Sequence, residues 1–199
     1  MGSPLFAISE LFIVVAAIWC SLKLAKQGMW FAVVGCAVLG GVAAIGAYRY
    51  GFNQVAALAS LHKGTSQLGG AIAIILIGVQ FLRTFPLMRQ SLIAKVSVSL
   101  AILGSVYAVV TFPKIGMGLI AVWMLVPIVA TILITHESVT TRLYLAGLVS
   151  IFLVNFLFVR QSPLLGPIYS WHVYHTLISI WLIALVYVLK RNSQRIQHP

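Results

Sequence analysis

Seven stretches of apolar residues, each closed by a charge, a proline or a glycine, divide the chain. They run over roughly 4–22, 29–48, 54–83, 92–111, 115–135, 141–159 and 168–189. A spanning helix needs about 20 apolar residues. Inside lipid every backbone N–H and C=O must be satisfied within its own segment, so runs of this length form helices and not strands. The pattern predicts an all-α integral membrane protein, a seven-transmembrane helix bundle forming one domain over 1–189. A basic tail follows at 190–199. The third run exceeds one crossing. It holds either a short surface helix over 54–62 followed by a span, or one long tilted helix. Short connections predict antiparallel neighbours.

Composition sharpens this picture. Of 199 residues, 61% are hydrophobic and 8% charged, with a mean hydropathy of +1.07. A soluble domain carries roughly 25% charged residues, so the solvent here is lipid. The net charge is +11, from 13 Lys and Arg against Glu10 and Glu137. The cations stand singly between apolar runs, as loop anchors do. This pattern points to anionic lipid headgroups as partners and not to nucleic acid. Lys23, Lys26, Arg83, Arg89, Arg142, Lys190, Arg191 and Arg195 fall on one side, with Lys95 close by; Arg49, Lys63, Lys114 and Arg160 fall on the other. The richer side is read as cytoplasmic, which puts the N-terminus outside and the C-terminus inside. The short connections suggest a bacterial inner membrane. The start MGSPLFAISELF lacks a basic leader and a cleavage signal, and the myristoylation pattern at Gly2 fails. Cys20 and Cys36 lie inside apolar runs and are expected to pack as small apolar residues.

Polar side chains at membrane depth are expensive and therefore mark candidate function. Glu10, His62, His172 and His175 all occur early in odd-numbered runs, which start from one face. At about 1.5 Å per residue, all four fall roughly 5–15 Å below that face. His172 and His175 are three residues apart and share one helix face. Two imidazoles there with a third from His62 match a three-ligand zinc site with an open position, where bound water becomes a nucleophile. Glu10 would be a ligand, an orienter of an imidazole or a general base. Ser60 would donate to a developing oxyanion, and Tyr169, Trp171 and Tyr174 would contact substrate. A plainer reading places Trp171, His172 and Tyr174 in an aromatic interface belt. Gln54 and Asn53 lie on the site side. His136 and Glu137 read as a solvated helix end. Asn155 and Gln80 read as interhelical hydrogen-bond formers, Pro127 as a kink in run five, and the glycines of GCAVLGGVAAIGA and GTSQLGGAIA as packing residues.

Run one, AISELFIVVAAI, resembles the IAEFWNT-type first helix of alkaline ceramidases. These belong to the CREST group of seven-helix membrane hydrolases, which also includes the adiponectin and progestin receptors. The resemblance implies that His62 and His175 are zinc ligands with His172 as the weaker third, and that Glu10 matches a first-helix acid that helps bind calcium. The chain departs from the family at several points. Its SxxxH becomes Ser60-Leu61-His62 with Leu58 in the serine's place, and its HxxxH becomes HxxH with Trp171 in place of the first His. No acid follows His62 in the same run, and no acid-rich N-terminal loop is present.

These readings converge on a zinc-dependent membrane hydrolase, with an amidase acting on a lipid-like small molecule as the specific expectation. Two alternatives stand beside it. One is a b-type haem protein with His62 and His172 or His175 as axial ligands. The other is a small transporter or lipid-binding receptor using His and Glu as a proton relay or ligand clamp.

Overall fold

A computed structural model describes residues 4–134, 137–160 and 162–194. Gly2, Ser3, His136, Arg195 and His198 lie outside the described residues. The helices are α1 (Leu5–Ala25), α2 (Trp30–Gly51), α3 (Ala59–Leu82), α4 (Pro86–Gln90), α5 (Leu92–Thr111), α6 (Pro113–Ile134), α7 (Val139–Val154) and α8 (Gly166–Gln194). A π-helical turn, Asn155–Val159, extends α7. Seven segments, all but the short α4, are long and apolar enough to cross a membrane, so the fold is the expected seven-helix bundle embedded in a membrane. The third run resolves as one span. Residues 52–58 lie in the turn and α3 begins only at Ala59, so of the two alternatives no separate surface helix over 54–62 forms, and the single helix is shorter than the run.

Each connection has a local cause. Gly28 adopts a φ of 67° in the α1–α2 turn, a left-handed conformation that is nearly free of cost only for glycine. Ser91 and Ser138 cap α5 and α7, accepting from the backbone N–H of Ala94 and Thr141, which satisfies donors that a helix start leaves open. Pro86 occupies the first turn of α4, where its missing N–H costs nothing.

The helices form a closed ring. α1 packs between α2 and α8, α2 against α3, α3 against α6, α6 against α7, and α7 against α8. α5 lies outside the ring against α3 and α6. Its fully buried residues are Ser105 and Ala108, and Val98, Ile102, Val106 and Val109 pack partly buried against the core. Trp123 on α6 anchors it, donating its indole N–H to Ser105 Oγ at 2.9 Å. On the far side of the ring, Trp181 of α8 donates to the Val149 carbonyl of α7 at 3.1 Å and stacks on Phe152. Cys20 is fully buried and its thiol meets the Leu182 carbonyl at 3.1 Å; Cys36 is equally buried, so both act as small core residues. Glu137 is not a free solvated end. Its carboxylate takes Arg191 in a two-nitrogen contact at 2.7 and 2.8 Å, which ties the α6–α7 connection to the end of α8.

Small residues set the helix spacing, because lipid supplies no hydrophobic drive between helices and association rests on close packing. A Cβ at Gly35 would lie 2.9 Å from the Ala73 carbonyl oxygen and 2.9 Å from Ile77 Cγ1, whereas one at Gly41 would meet nothing within 4 Å. Gly35→Ala should therefore destabilise the solubilised protein by about 1–3 kcal/mol through overpacking. Gly41→Ala should be neutral or slightly stabilising. Reversible unfolding in mixed micelles, followed by circular dichroism, compares the two; equal effects would show that the close approach of α2 and α3 is not what Gly35 secures.

Candidate functional site: a buried carboxylate between imidazoles

The polar residues gather at the end of the bundle where α1, α3 and α8 begin and α2 finishes. Glu10 is 3% exposed, His175 7% and His62 8%. Glu10 Oε1 lies 3.4 Å from His175 Nε2 and 3.6 Å from His62 Nε2. One carboxylate oxygen is thus flanked by two rings from two different helices. Both contacts have ion-pair length and are slightly longer than a hydrogen bond.

The partners of the remaining ring nitrogens assign the tautomers. His62 Nδ1 lies 3.2 Å from Arg49 Nη1. A guanidinium can only donate, so His62 Nδ1 carries a lone pair and the ring proton sits on Nε2, facing Glu10. His175 Nδ1 lies 2.7 Å from the Trp171 carbonyl oxygen. A carbonyl can only accept, so this nitrogen holds a proton, and the proton of interest lies between His175 Nε2 and Glu10. The order along the site is Arg49, His62, Glu10, His175, Trp171 C=O.

Supporting groups hold each member in place. Arg49 also donates to the Val55 carbonyl at 2.9 Å and to Tyr50 Oη at 3.3 Å, which secures the α2–α3 connection around it. Trp171 lies tilted over His175 with ring centroids 4.3 Å apart and meets Tyr50 edgewise and Phe6 tilted, each at 5.3 Å. Asn155, at the start of the π-helical turn, donates to the Tyr174 carbonyl at 2.7 Å. It thereby clasps α8 one residue before His175, and π turns recur at functional sites. Gly46 makes the assembly possible. A Cβ there would lie 2.6 Å from the Glu10 carboxyl carbon and 2.9 Å from His62 Nε2, so any larger residue would push the acid away from the ring.

Magnitudes explain why the acid is tolerated. Burying an unpaired carboxylate costs several kcal/mol after relaxation. One unit positive charge at 3.4 Å returns about 5 kcal/mol at an effective dielectric constant near 20. The two terms are of the same size, so the state of one proton decides whether the site is stable as it stands.

Of the expected site residues, Glu10, His62 and His175 come together. His172 does not join them. Its Nδ1 lies 3.2 Å from Ser9 Oγ, and Ser9 passes its own proton to the Phe6 carbonyl at 3.1 Å. The i, i+3 spacing placed His172 and His175 on one side of α8, but they address successive residues of α1. Among the described residues, no group of three His, Cys, Asp or Glu side chains is placed to hold a metal ion. The expected zinc set of His62, His172 and His175 is therefore not assembled, for two physical reasons: His172 faces Ser9, and His62 gives its Nδ1 lone pair to Arg49. Ser60 is exposed, since two residues along a helix is about 200° of rotation away from His62. Tyr169 is 72% exposed, as an interface residue is. Tyr174 meets His175 edge-on at 5.2 Å, and Trp171 is an integral wall of the site. Gln54 and Asn53 are exposed in the α2–α3 turn and stay out of the cluster.

Sequence reading missed Arg49, which looked like one more loop anchor, and Gly46, which looked like one packing glycine among many. A signal for Arg49 was present: its position at the end of α2 puts it at the same membrane depth as Glu10.

The tautomer assignment is directly observable. In protein with ¹⁵N-labelled histidine, His62 should show the Nε2–H form, and Arg49→Gln should abolish that preference while leaving His172 unchanged. A wild-type His62 protonated at Nδ1 would contradict the assigned order. Gly46→Ala should disturb the His62 and His175 signals together, because both rings lean on the carboxylate it displaces.

No family of known proteins, no characterised protein and no solved structure matches this chain.

Proposed function

We propose that the chain is a small proton-coupled membrane transporter in which Glu10 and His175 exchange a proton near one membrane face. The observation that carries this reading is the fixed order Arg49, His62, Glu10, His175, with the ends of the chain immobilised and one proton left in the middle. Arg49 holds the outer imidazole in a single tautomer, and the Trp171 carbonyl holds the inner one. The proton between His175 Nε2 and Glu10 Oε1, the shorter of the two contacts to that oxygen, is then the one we assign to transfer. Ionisable groups inside membranes that pair with one another mark proton relays in pumps and transporters. A contraction of a few tenths of an ångström brings the pair to transfer distance, and such pairs are commonly loose before the working complex forms.

Transfer of that proton from His175 to Glu10 turns an ion pair into a neutral pair and leaves the net charge of the site unchanged. With Glu10 ionised and His175 protonated, the acid holds α8 to α1 by charge and α3 through the N–H of His62 that faces it. With Glu10 protonated, the attraction falls by an amount comparable to the desolvation cost, and the three helices lose the force that joins their ends. A proton arriving from the adjacent face therefore couples to helix separation there. The Lys and Arg distribution supports that face as the outer one with the C-terminus cytoplasmic, and the short connections suit a bacterial inner membrane. The indole N–H of Trp171 is buried with no hydrogen-bond partner among the described residues. An unpaired buried donor costs about 1–3 kcal/mol, which supports a substrate or water acceptor beside His175.

Proteoliposomes carrying a pH-sensitive dye inside test this reading. An imposed outward-acid gradient should dissipate faster with the wild type than with empty vesicles. Glu10→Gln should remove the difference, and Arg49→Gln should reduce it by at least 10-fold, within the range that proton-transfer groups contribute. Wild-type vesicles no leakier than Glu10→Gln vesicles would end the proposal. Stoichiometric zinc in the purified protein, lost with His175→Ala, would replace it with the hydrolase reading, and a Soret band would replace it with the haem reading.

A further inference from the structure

The stripe of α3 that looks into the ring changes character halfway along. Lys63, Gln67, Gly70, Ile74, Ile77 and Phe81 recur at alternating steps of four and three residues, which keeps them on one helix face. Contacts fix where that face points. Gly69 and Ala73 lie against α2, where a Cβ at Gly69 would sit 2.6 Å from Val42 Cγ2 and one at Gly35 would sit 2.9 Å from the Ala73 carbonyl oxygen. Gly78 lies against α6, where its Cβ would sit 2.8 Å from the Trp123 ring. Between these two neighbours, Ile74 and Ile77 line a void of about 10 Å³ together with Met124 of α6, Val149 of α7 and Trp181 of α8, so the stripe faces the ring's interior. Its inner half is sealed: Ile74 is 3% exposed, Ile77 1% and Phe81 0%. Its outer half is open. Lys63 and Gln67 are exposed and Gly70 is half-buried, and a Cβ at Gly70 would meet nothing within 4 Å.

The facing helices repeat the change about two turns farther out. Seven residues from Met124, Met117 of α6 is 39% exposed. Seven residues from Trp181 and Val149, Tyr174 and Phe156 are half-buried. The Arg160 guanidinium lies over both of these rings, 5.4 Å from Phe156 and 6.0 Å from Tyr174, so α7 sets a second cation beside the opening that Lys63 lines. We propose that the outer half of the ring is a vestibule admitting a small organic anion, held by Lys63 and Arg160 with Gln67 as hydrogen-bond donor, over a floor of Ile74, Met124 and Trp181. In the transport reading, on which this rests, that anion is the cargo that moves with the proton. Cations on two walls favour a negative solute, because a cleft lined by one sign of charge concentrates its counter-ion. The Gln67 amide and the faces of Phe156 and Tyr174 suit an organic anion over a bare halide. The floor supplies the reason for coupling. Its void of about 10 Å³ is too small for a solute, and an ion crossing that apolar layer loses its water at a cost of several kcal/mol. An anion moving with one proton carries no net charge. Tyr174 meets His175 edge-on at 5.2 Å, so an anion beside Tyr174 and the Glu10–His175 pair lie on neighbouring faces of α8.

Membrane-impermeant thiol reagents test this on the full chain in lipid nanodiscs. The probes are sulfonatoethyl methanethiosulfonate, itself a small organic anion, and its trimethylammonium counterpart, each rate divided by that on a free thiol. Gln67→Cys and Gly70→Cys should react with the sulfonate about 10-fold faster than Leu68→Cys, off the stripe, and Ile77→Cys, beneath the floor, because the reactive thiolate needs water. Cys20 and Cys36, both fully buried, should stay unlabelled. At the two open positions the sulfonate should outpace the ammonium reagent by about 10-fold, and Lys63→Gln/Arg160→Gln should abolish that preference. Two labelling positions serve in case one variant does not fold. Glu10→Gln should leave labelling unchanged, so loss of proton movement and loss of the vestibule are read separately. Rates at Gln67→Cys and Gly70→Cys no higher than at Leu68→Cys overturn the vestibule. Equal rates for the two reagents, or a preference that survives Lys63→Gln/Arg160→Gln, overturn the anion site.

Discussion

A carboxylate placed among transmembrane helices needs compensation on more than one side, and most of the architecture at one end of this bundle follows from that need. Glu10 draws α3 and α8 to α1 because each delivers an imidazole to the same oxygen. α2 contributes in two ways, by having no side chain at Gly46 and by sending Arg49 behind His62. Four helices are thus located by one charged atom. The connection at 52–58 is shaped by the same arginine, which accepts its place by bonding the Val55 carbonyl. Remote features, such as the Trp181 and Trp123 anchors, hold the ring closed but do not choose its register at this end.

Both charge and geometry separate the two histidines of α8. They are one helical turn apart, yet one meets an acid and the other a hydroxyl. A hydroxyl that already donates to its own helix can only receive a proton, so His172 is locked as a structural donor. His175 faces an acid and keeps a proton whose ownership is open. The difference arises on α1, where Ser9 and Glu10 are adjacent and point to different levels of α8. Chemistry at the site is therefore asymmetric even though the sequence WHVYH looks like a matched pair.

The sequence made the bundle legible because lipid permits so few backbone solutions: seven apolar runs of adequate length leave little besides seven helices. The shared depth of Glu10, His62 and His175 was readable as well, since depth is a count of residues from a helix end. Facing direction was not readable. His172 and Ser60 had the right depth and the wrong azimuth, and azimuth depends on which neighbour packs where. Arg49 was missed for the converse reason. Its depth was right, but an arginine at a helix end has a routine use, and only the position of His62 beside it gives it another. Glu137 was taken as solvated because its partner, Arg191, lies more than fifty residues away in the chain. The third run was too long because turn residues 55–58 are themselves apolar, and apolarity alone does not separate a turn at the interface from a helix beneath it.

The two carboxylates of this chain are both committed, Glu10 to its imidazoles and Glu137 to Arg191. With 13 Lys and Arg against two acidic side chains, most of the positive charge must be balanced from outside the polypeptide. In that sense the folded protein is half of a salt, completed only by the surface it enters. Its electroneutrality is a property of protein and bilayer together. Mobile ions can substitute for the lipid half only in proportion to how well they screen within a Debye length, about 8 Å under physiological conditions.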